Sequence, residues 1–308
     1  MARSIAFLKF KSTIELEIRA YWHLLSALAL SDRVVVGYTS ALIPGEPDNS
    51  GYPFKAISIS PAEYLEESPT IAGYVRENSL VSFITTFEAY LFELTERIIY
   101  LQPDSISDSD ISMTASDVAA AAKSEDARRW IAHKVAVKYL RNKTHTAMIK
   151  KIDKLSKAGT SVGREGDVEE WHKWTLVRNS IVHTTRQVTQ ELSDSWPSKF
   201  PVPGGTFNLS NQDVSRVFSL AIDLAEVIDA MAVKQIIKKS DALVLAREIF
   251  VHEGVSAPGK VRQKISDAGM RVKLKNDELE SSLAKHKRGA GADSLSLTAT
   301  EFRRLLSK

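Results

Sequence analysis

Between Asn78 and Leu101, the residues Phe83, Phe87, Tyr90, Leu91, Leu94 and Ile98 recur at helical spacing. Apolar residues at that period form one stripe of an α-helix, and a stripe so rich in rings needs a partner surface to bury it. The helical pattern returns downstream. A long helical region is expected from about Val118 to Lys157, broken by the stretch from Gly159 to Gly166. The next helix is expected over Asp167–Ser193. A last long one runs from the cap Ser210-Asn211-Gln212-Asp213 to about Lys239. Four long helices between residues 76 and 240, joined by loops of roughly 8 to 16 residues, close most simply as a bundle.

The flanks read differently. Residues 4–31 read as a helix, and Arg33-Val34-Val35-Val36-Gly37-Tyr38 as a strand. After a turn-rich stretch from Pro44 to Pro53, the run from Phe54 to Ser60 is expected to pair back on it as a β-hairpin. The last 68 residues hold 13 Lys/Arg against 9 Asp/Glu, and their glycines and Pro258 cut them into short helices. The expected fold is therefore mostly α: residues 1–75 as a helix plus β-hairpin, 76–240 as the bundle, and 241–308 as a basic helical extension.

Composition narrows the chemistry. No cysteine is present, which excludes disulfides, thiolate zinc sites and cysteine nucleophiles. No apolar run has the length of a membrane span, and the apolar stretch Ile5–Leu8 is soon interrupted by Lys9, Lys11 and Glu15. A cytoplasmic protein without membrane contact is the expectation. The net charge of +3 is mild, so overall charge does not announce a nucleic-acid binder.

One segment carries chemistry: Trp174-Thr175-Leu176-Val177-Arg178-Asn179-Ser180-Ile181-Val182-His183. On a helix, Trp174, Val177 and Ile181 share a face, with Thr175, Asn179, His183 and Arg186 on roughly the opposite one. That fixes a permanently charged phosphate ligand and a group that titrates near neutrality on one rigid support. Arginine followed after four to six residues by histidine is expected about once by chance in such a chain. It occurs here three times, at Arg128/His133, Arg178/His183 and Arg247/His252. An asparagine directly after the arginine, with histidine four residues beyond, lowers the chance expectation to roughly one in a hundred. Only Arg178-Asn179 meets that requirement.

The run Arg178-Asn179-Ser180-Ile181-Val182-His183 resembles the signature of the HEPN superfamily, whose members are four- to five-helix bundles, many of them RNA-cleaving. Ser82–Leu91 is similar to the first bundle helix of that family, and Phe207–Val214 to the start of the helix after the motif. The resemblance covers about residues 76–240. It implies a metal-independent endoribonuclease that needs no cofactor and acts as a homodimer with two motifs in one cleft. His183 would move protons around a ribose 2′-hydroxyl, Arg178 would hold the scissile phosphate, and Asn179 would orient the histidine or bind a phosphate oxygen. The product would be a 2′,3′-cyclic phosphate. Family habit adds a role as a toxin or antiviral effector, with a neutralising antitoxin or regulatory partner. Members regulated by nucleotidyl transfer carry a tyrosine two residues after the histidine, where this chain has Thr185.

Candidate RNA contacts beyond the motif are Glu88, Arg128, Lys150, Lys151 and Lys154, the lysines forming a track for phosphates. No His-Glu-x-x-His pattern or other metal-ligand cluster stands out, so no metal site is expected. The plain alternative makes Arg178 and His183 a surface pair touching Glu169 or Glu170, in a non-catalytic helical module that binds RNA or a protein partner. A weaker alternative is a DNA-associated regulator using the basic C-terminal segment.

Overall fold

The structure is a computed structural model that describes residues 3–37, 61–106, 111–124, 126–156, 159, 163–184, 186–287, 297 and 299–306. The described chain is mostly helical. Its helices are α1 (Ile5–Val35), α2 (Pro61–Leu101), α3 (Ala115–Lys123), α4 (Ala127–Leu140), α5 (His145–Ser156) and α6 (Glu165–His183). They continue as α7 (Gln190–Ser195), α8 (Asn211–Ala232), α9 (Ser240–Glu253), α10 (Pro258–Asp267), α11 (Asn276–Lys287) and α12 (Ala299–Leu306). The chain divides into two compact units, one of residues 1–14, 84–175 and 219–308, the other of residues 15–83 and 176–218. The sequence-based boundary at 75/76 falls inside α2, and that at 240/241 falls at the start of α9.

The expected N-terminal hairpin is corrected. Residues 33–35 are the last turn of α1, and Val36 and Gly37 form a turn; Phe54–Ser60 lies outside the described residues. Three β-branched valines favour a strand only weakly, and tertiary context overrides such a preference. Here Val35 is buried, Val36 N–H donates to the Asp32 carbonyl at 3.1 Å, and Ser68 Oγ donates to Asp32 Oδ1 at 2.7 Å. The helical turn is thus bonded along its own axis and to α2. Among the described residues the one β pairing is an antiparallel bridge between Gln187 and Thr206.

The first unit is built on the stripe legible in α2. Phe87, Leu91, Leu94 and Ile98 are fully buried, with Phe10 of α1 packed on Phe87 and Tyr90 at 6.0 and 5.1 Å between ring centroids. Trp171 of α6 adds a third ring, 4.6 Å from Phe87. The start of α1 is held by two buried acids. Asp229 accepts from Ser4 N–H at 3.1 Å and from the Ser4 hydroxyl, and Asp241 accepts from Ile5 N–H at 2.7 Å. Arg97 Nε donates to Asp241 at 2.6 Å, so that carboxylate is paired as well as buried. The long helical region expected over 118–157 is three helices. A capping box at Thr114 and Asp117 starts α3, Asp126 caps α4, and Asn142 adopts a left-handed φ of 56° between α4 and α5.

The second unit packs the later part of α1, the first part of α2, the end of α6, α7 and the start of α8. Val177, Ile181, Leu192, Val214 and Val217 are buried in it, and Phe83 meets Phe218 at 5.8 Å. Asn211, the first residue of α8, accepts from Tyr21 at 2.9 Å and from Arg76 at 2.8 Å, which ties three helices together.

Candidate functional site

The motif lies in the second unit, on the last turn and a half of α6. Val177 and Ile181 face the core, as the periodicity requires, and Ser180 is buried beside them with its hydroxyl 3.1 Å from that of Thr189. Asn179 and His183 are exposed and Arg178 is half-buried. Arg178 Nη1 donates to Asn179 Oδ1 at 3.1 Å, so the asparagine holds one edge of the guanidinium. Arg178 Nε is buried and has no hydrogen-bond partner among the described residues. His183 likewise has no hydrogen-bond or ion-pair partner among them, and it is the final residue of the helix. Five residues of α-helix separate Arg178 from His183 by about 7.5 Å along the axis and about 140° around it.

The motif helix is shorter than its apolar pattern suggested, ending at His183 and not at Ser193. The Thr184 hydroxyl donates to the carbonyls of Ser180 and Gln187, at 2.6 and 2.8 Å, which closes the helix end with a side chain. The chain then turns through Arg186, whose φ of 62° lies in the left-handed region that non-glycine residues rarely occupy. Val188 pairs with Gly204 and Gly205 across the short bridge, so the helix has no room to continue. Thr185 lies outside the described residues.

Two residues assigned to the exposed motif face are elsewhere. Thr175 is buried, its hydroxyl donating to the His172 carbonyl at 2.7 Å. Arg186 is off the helix, its Nε 2.7 Å from Glu77 Oε2 and its guanidinium 4.2 Å above the Tyr74 ring. Glu77 is buried, and that burial raises its pKa, while the charge of and hydrogen bond from Arg186 pull it down. Sequence reading missed this pair, because Glu77 and Arg186 are far apart in the chain and share no local pattern. The only sign of Arg186 in the sequence is its position three residues after the histidine.

The remaining candidates lie in the first unit. Glu88 Oε2 sits 3.5 Å from His145 Nε2, and His145 Nδ1 accepts from the buried Trp171 indole at 3.0 Å. Lys150 and Lys154 are exposed one turn apart on α5, whereas Lys151 lies 3.8 Å from the Tyr139 ring centroid. Arg128 lies over Tyr100 at 4.8 Å. The histidines of the other two arginine–histidine pairs are engaged: His133 Nδ1 with Glu96 at 2.8 Å, and His252 with Glu248 at 3.3 Å and stacked on Phe302. Glu169 pairs with Lys173 at 2.9 Å, and Glu170 accepts from the Trp174 indole at 3.3 Å.

Among the described residues no three His, Asp or Glu side chains group as metal ligands, and no helix is long and apolar enough to cross a membrane. Comparison with protein-family models, curated proteins and solved structures finds no match to this chain. The functional reading therefore rests on the residues themselves.

Proposed function

We propose that this protein is a metal-independent endoribonuclease of the HEPN type, with Arg178, Asn179 and His183 as its catalytic group. One observation carries the reading: an exposed histidine and an asparagine-held arginine share the end of one helix. The planar fork of a guanidinium matches the oxygens of a phosphate, and an imidazole titrates in the range where it can both take and give a proton.

In this reading His183 takes the proton from a ribose 2′-hydroxyl, whose oxygen attacks the adjacent phosphorus. The new 2′-O–P bond forms as the P–O5′ bond breaks, and the leaving 5′-oxygen takes a proton from a second imidazole. The electron pairs and protons then balance, and the products are a 2′,3′-cyclic phosphate and a 5′-hydroxyl. Arg178 holds the non-bridging oxygens as negative charge builds on them. The second imidazole comes from His183 of a second copy, in a two-fold dimer whose facing surface includes Asn179, Val182 and His183. Those three side chains are exposed, and Val182 is apolar.

The rival reading is a non-catalytic helical module that binds a protein partner. It is favoured by the exposed Leu16, Leu24, Leu30 and Val34 along α1. Incubating the purified protein with end-labelled RNA in EDTA separates the two. Fragments ending in a cyclic phosphate support the ribonuclease. Intact RNA at every protein concentration supports the module.

A further inference from the structure

The first unit contains a cleft of about 400 Å³, bordered by the end of α2, the first turn of α4, and α9 and α11. Arg128 and Arg247 both line it, although they come from two separate arginine–histidine pairs in the sequence. Ser240, Val244 and Arg247 are spaced by four and three residues on α9, so one face of that helix presents a hydroxyl, an apolar patch and a guanidinium to the cleft. Ser281 and Ser282 add two hydroxyls from α11, and Tyr100 adds a ring from α2. The Arg128 guanidinium rests on that ring and is thereby positioned before any ligand arrives.

The charge of the lining favours anions. Its one carboxylate, Glu278, is already held by Lys239 at 2.7 and 3.1 Å, and accepts from Lys275 N–H at 2.8 Å. The first turn of α9 also borders the cleft through Ser240, and its N-cap residue, Lys239, makes no side-chain capping bond there.

We propose that this cleft binds a phosphate monoester carried on an organic body of mononucleotide size. Two guanidiniums from different helices can grip one phosphate by paired, planar contacts, with the serine hydroxyls as further donors. Tyr100 and the aliphatic residues between Ser240 and Arg247 form the wall for the organic part. The volume falls in the range of small-ligand sites, and a bare inorganic anion leaves most of it unfilled. The monoester is supplied either by a free nucleotide or by the phosphorylated end of an RNA. The site is separate in its residues from the ribonuclease motif and does not depend on that reading.

Calorimetric titration of the full chain tests this with AMP, adenosine, inorganic phosphate and a short RNA with or without a 5′-phosphate. AMP is expected to bind, with adenosine and inorganic phosphate at least about tenfold weaker, because each lacks half of the contacts. Arg128→Ala and Arg247→Lys are each expected to weaken AMP about ten- to hundredfold, the scale of a lost charge-assisted contact. Arg164→Ala, on an exposed arginine paired with Asp167, is the control that leaves AMP binding unchanged. Tighter binding of the phosphorylated RNA than of AMP assigns the site to RNA ends; the reverse order assigns it to a free nucleotide. No AMP or RNA-end binding at millimolar concentration overturns the proposal. So does binding that persists in folded Arg128→Ala and Arg247→Lys proteins, whose folding circular dichroism verifies.

Discussion

The carboxyl of Asp229 makes folding stability fall as pH rises from the acid range towards neutrality. Its side chain is fully buried, and that burial pushes its pKa from 3.8 up to about 7; the Ser4 hydrogen bonds and Arg3 pull the other way, and Asp241 adds to the rise. A group that binds its proton more tightly when folded stabilises the fold below its unfolded pKa and loses that contribution as pH climbs to its folded pKa. Each pKa unit is worth about 1.4 kcal/mol, so the loss is about 4 kcal/mol between pH 4 and pH 7, of which about 3 kcal/mol falls above pH 5. Asp229→Asn imitates the protonated acid, its amide oxygen accepting from Ser4 N–H and its amide nitrogen donating to the Ser4 hydroxyl. Urea unfolding of both proteins from pH 5 to pH 8 reads this group in the difference, because titrations distant from Asp229 cancel. The asparagine variant is expected to gain about 3 kcal/mol on the wild type over that range and then level off. A difference that stays flat, or that moves in favour of the wild type as pH rises, refutes the reasoning.

Arg97→Ala leaves Asp241 as an uncompensated buried charge at the start of α1. Urea unfolding is expected to show a loss of about 3 to 5 kcal/mol, whereas a loss below about 1 kcal/mol means the pair is not buried as described. Trp171→Phe removes the indole donor to His145 from the core and is expected to cost about 1 to 3 kcal/mol in the same measurement. Arg178→Lys is expected to remove most RNA cleavage in an assay of initial rates, since a point charge cannot reproduce a planar fork on a phosphate. An active lysine variant would mean the position acts through charge alone.

The helices with large apolar stripes were legible because burial follows periodicity directly. Phe83, Phe87, Leu91, Leu94 and Ile98 are all fully buried, and Ser210 and Asp213 form the reciprocal cap that the sequence before α8 announced. The valines at 34–36 were misread because local preference cannot see the Ser68 bond that secures the last turn of α1. The end of α6 was overrun for a related reason: the apolar period continues past His183, but the Thr184 hydroxyl and the left-handed Arg186 stop the helix. At the candidate site, Arg178, Asn179 and His183 were legible as neighbours on one helix. The Glu77–Arg186 pair and the cleft that Arg128 and Arg247 both line were not, since only tertiary folding joins residues so distant in the chain.

The ribonuclease reading stands or falls on one imidazole. His183 is exposed at the end of α6 and contributes nothing visible to the core, so His183→Ala should fold as the wild type does. The measurement is the initial rate of cleavage of a defined RNA in EDTA by both proteins, with circular dichroism to verify the fold. The expected outcome is cleavage by the wild type and a rate lower by about two to four orders of magnitude in the variant, the usual effect of removing a positioned acid–base group. A folded His183→Ala protein that cleaves RNA at the wild-type rate would contradict it.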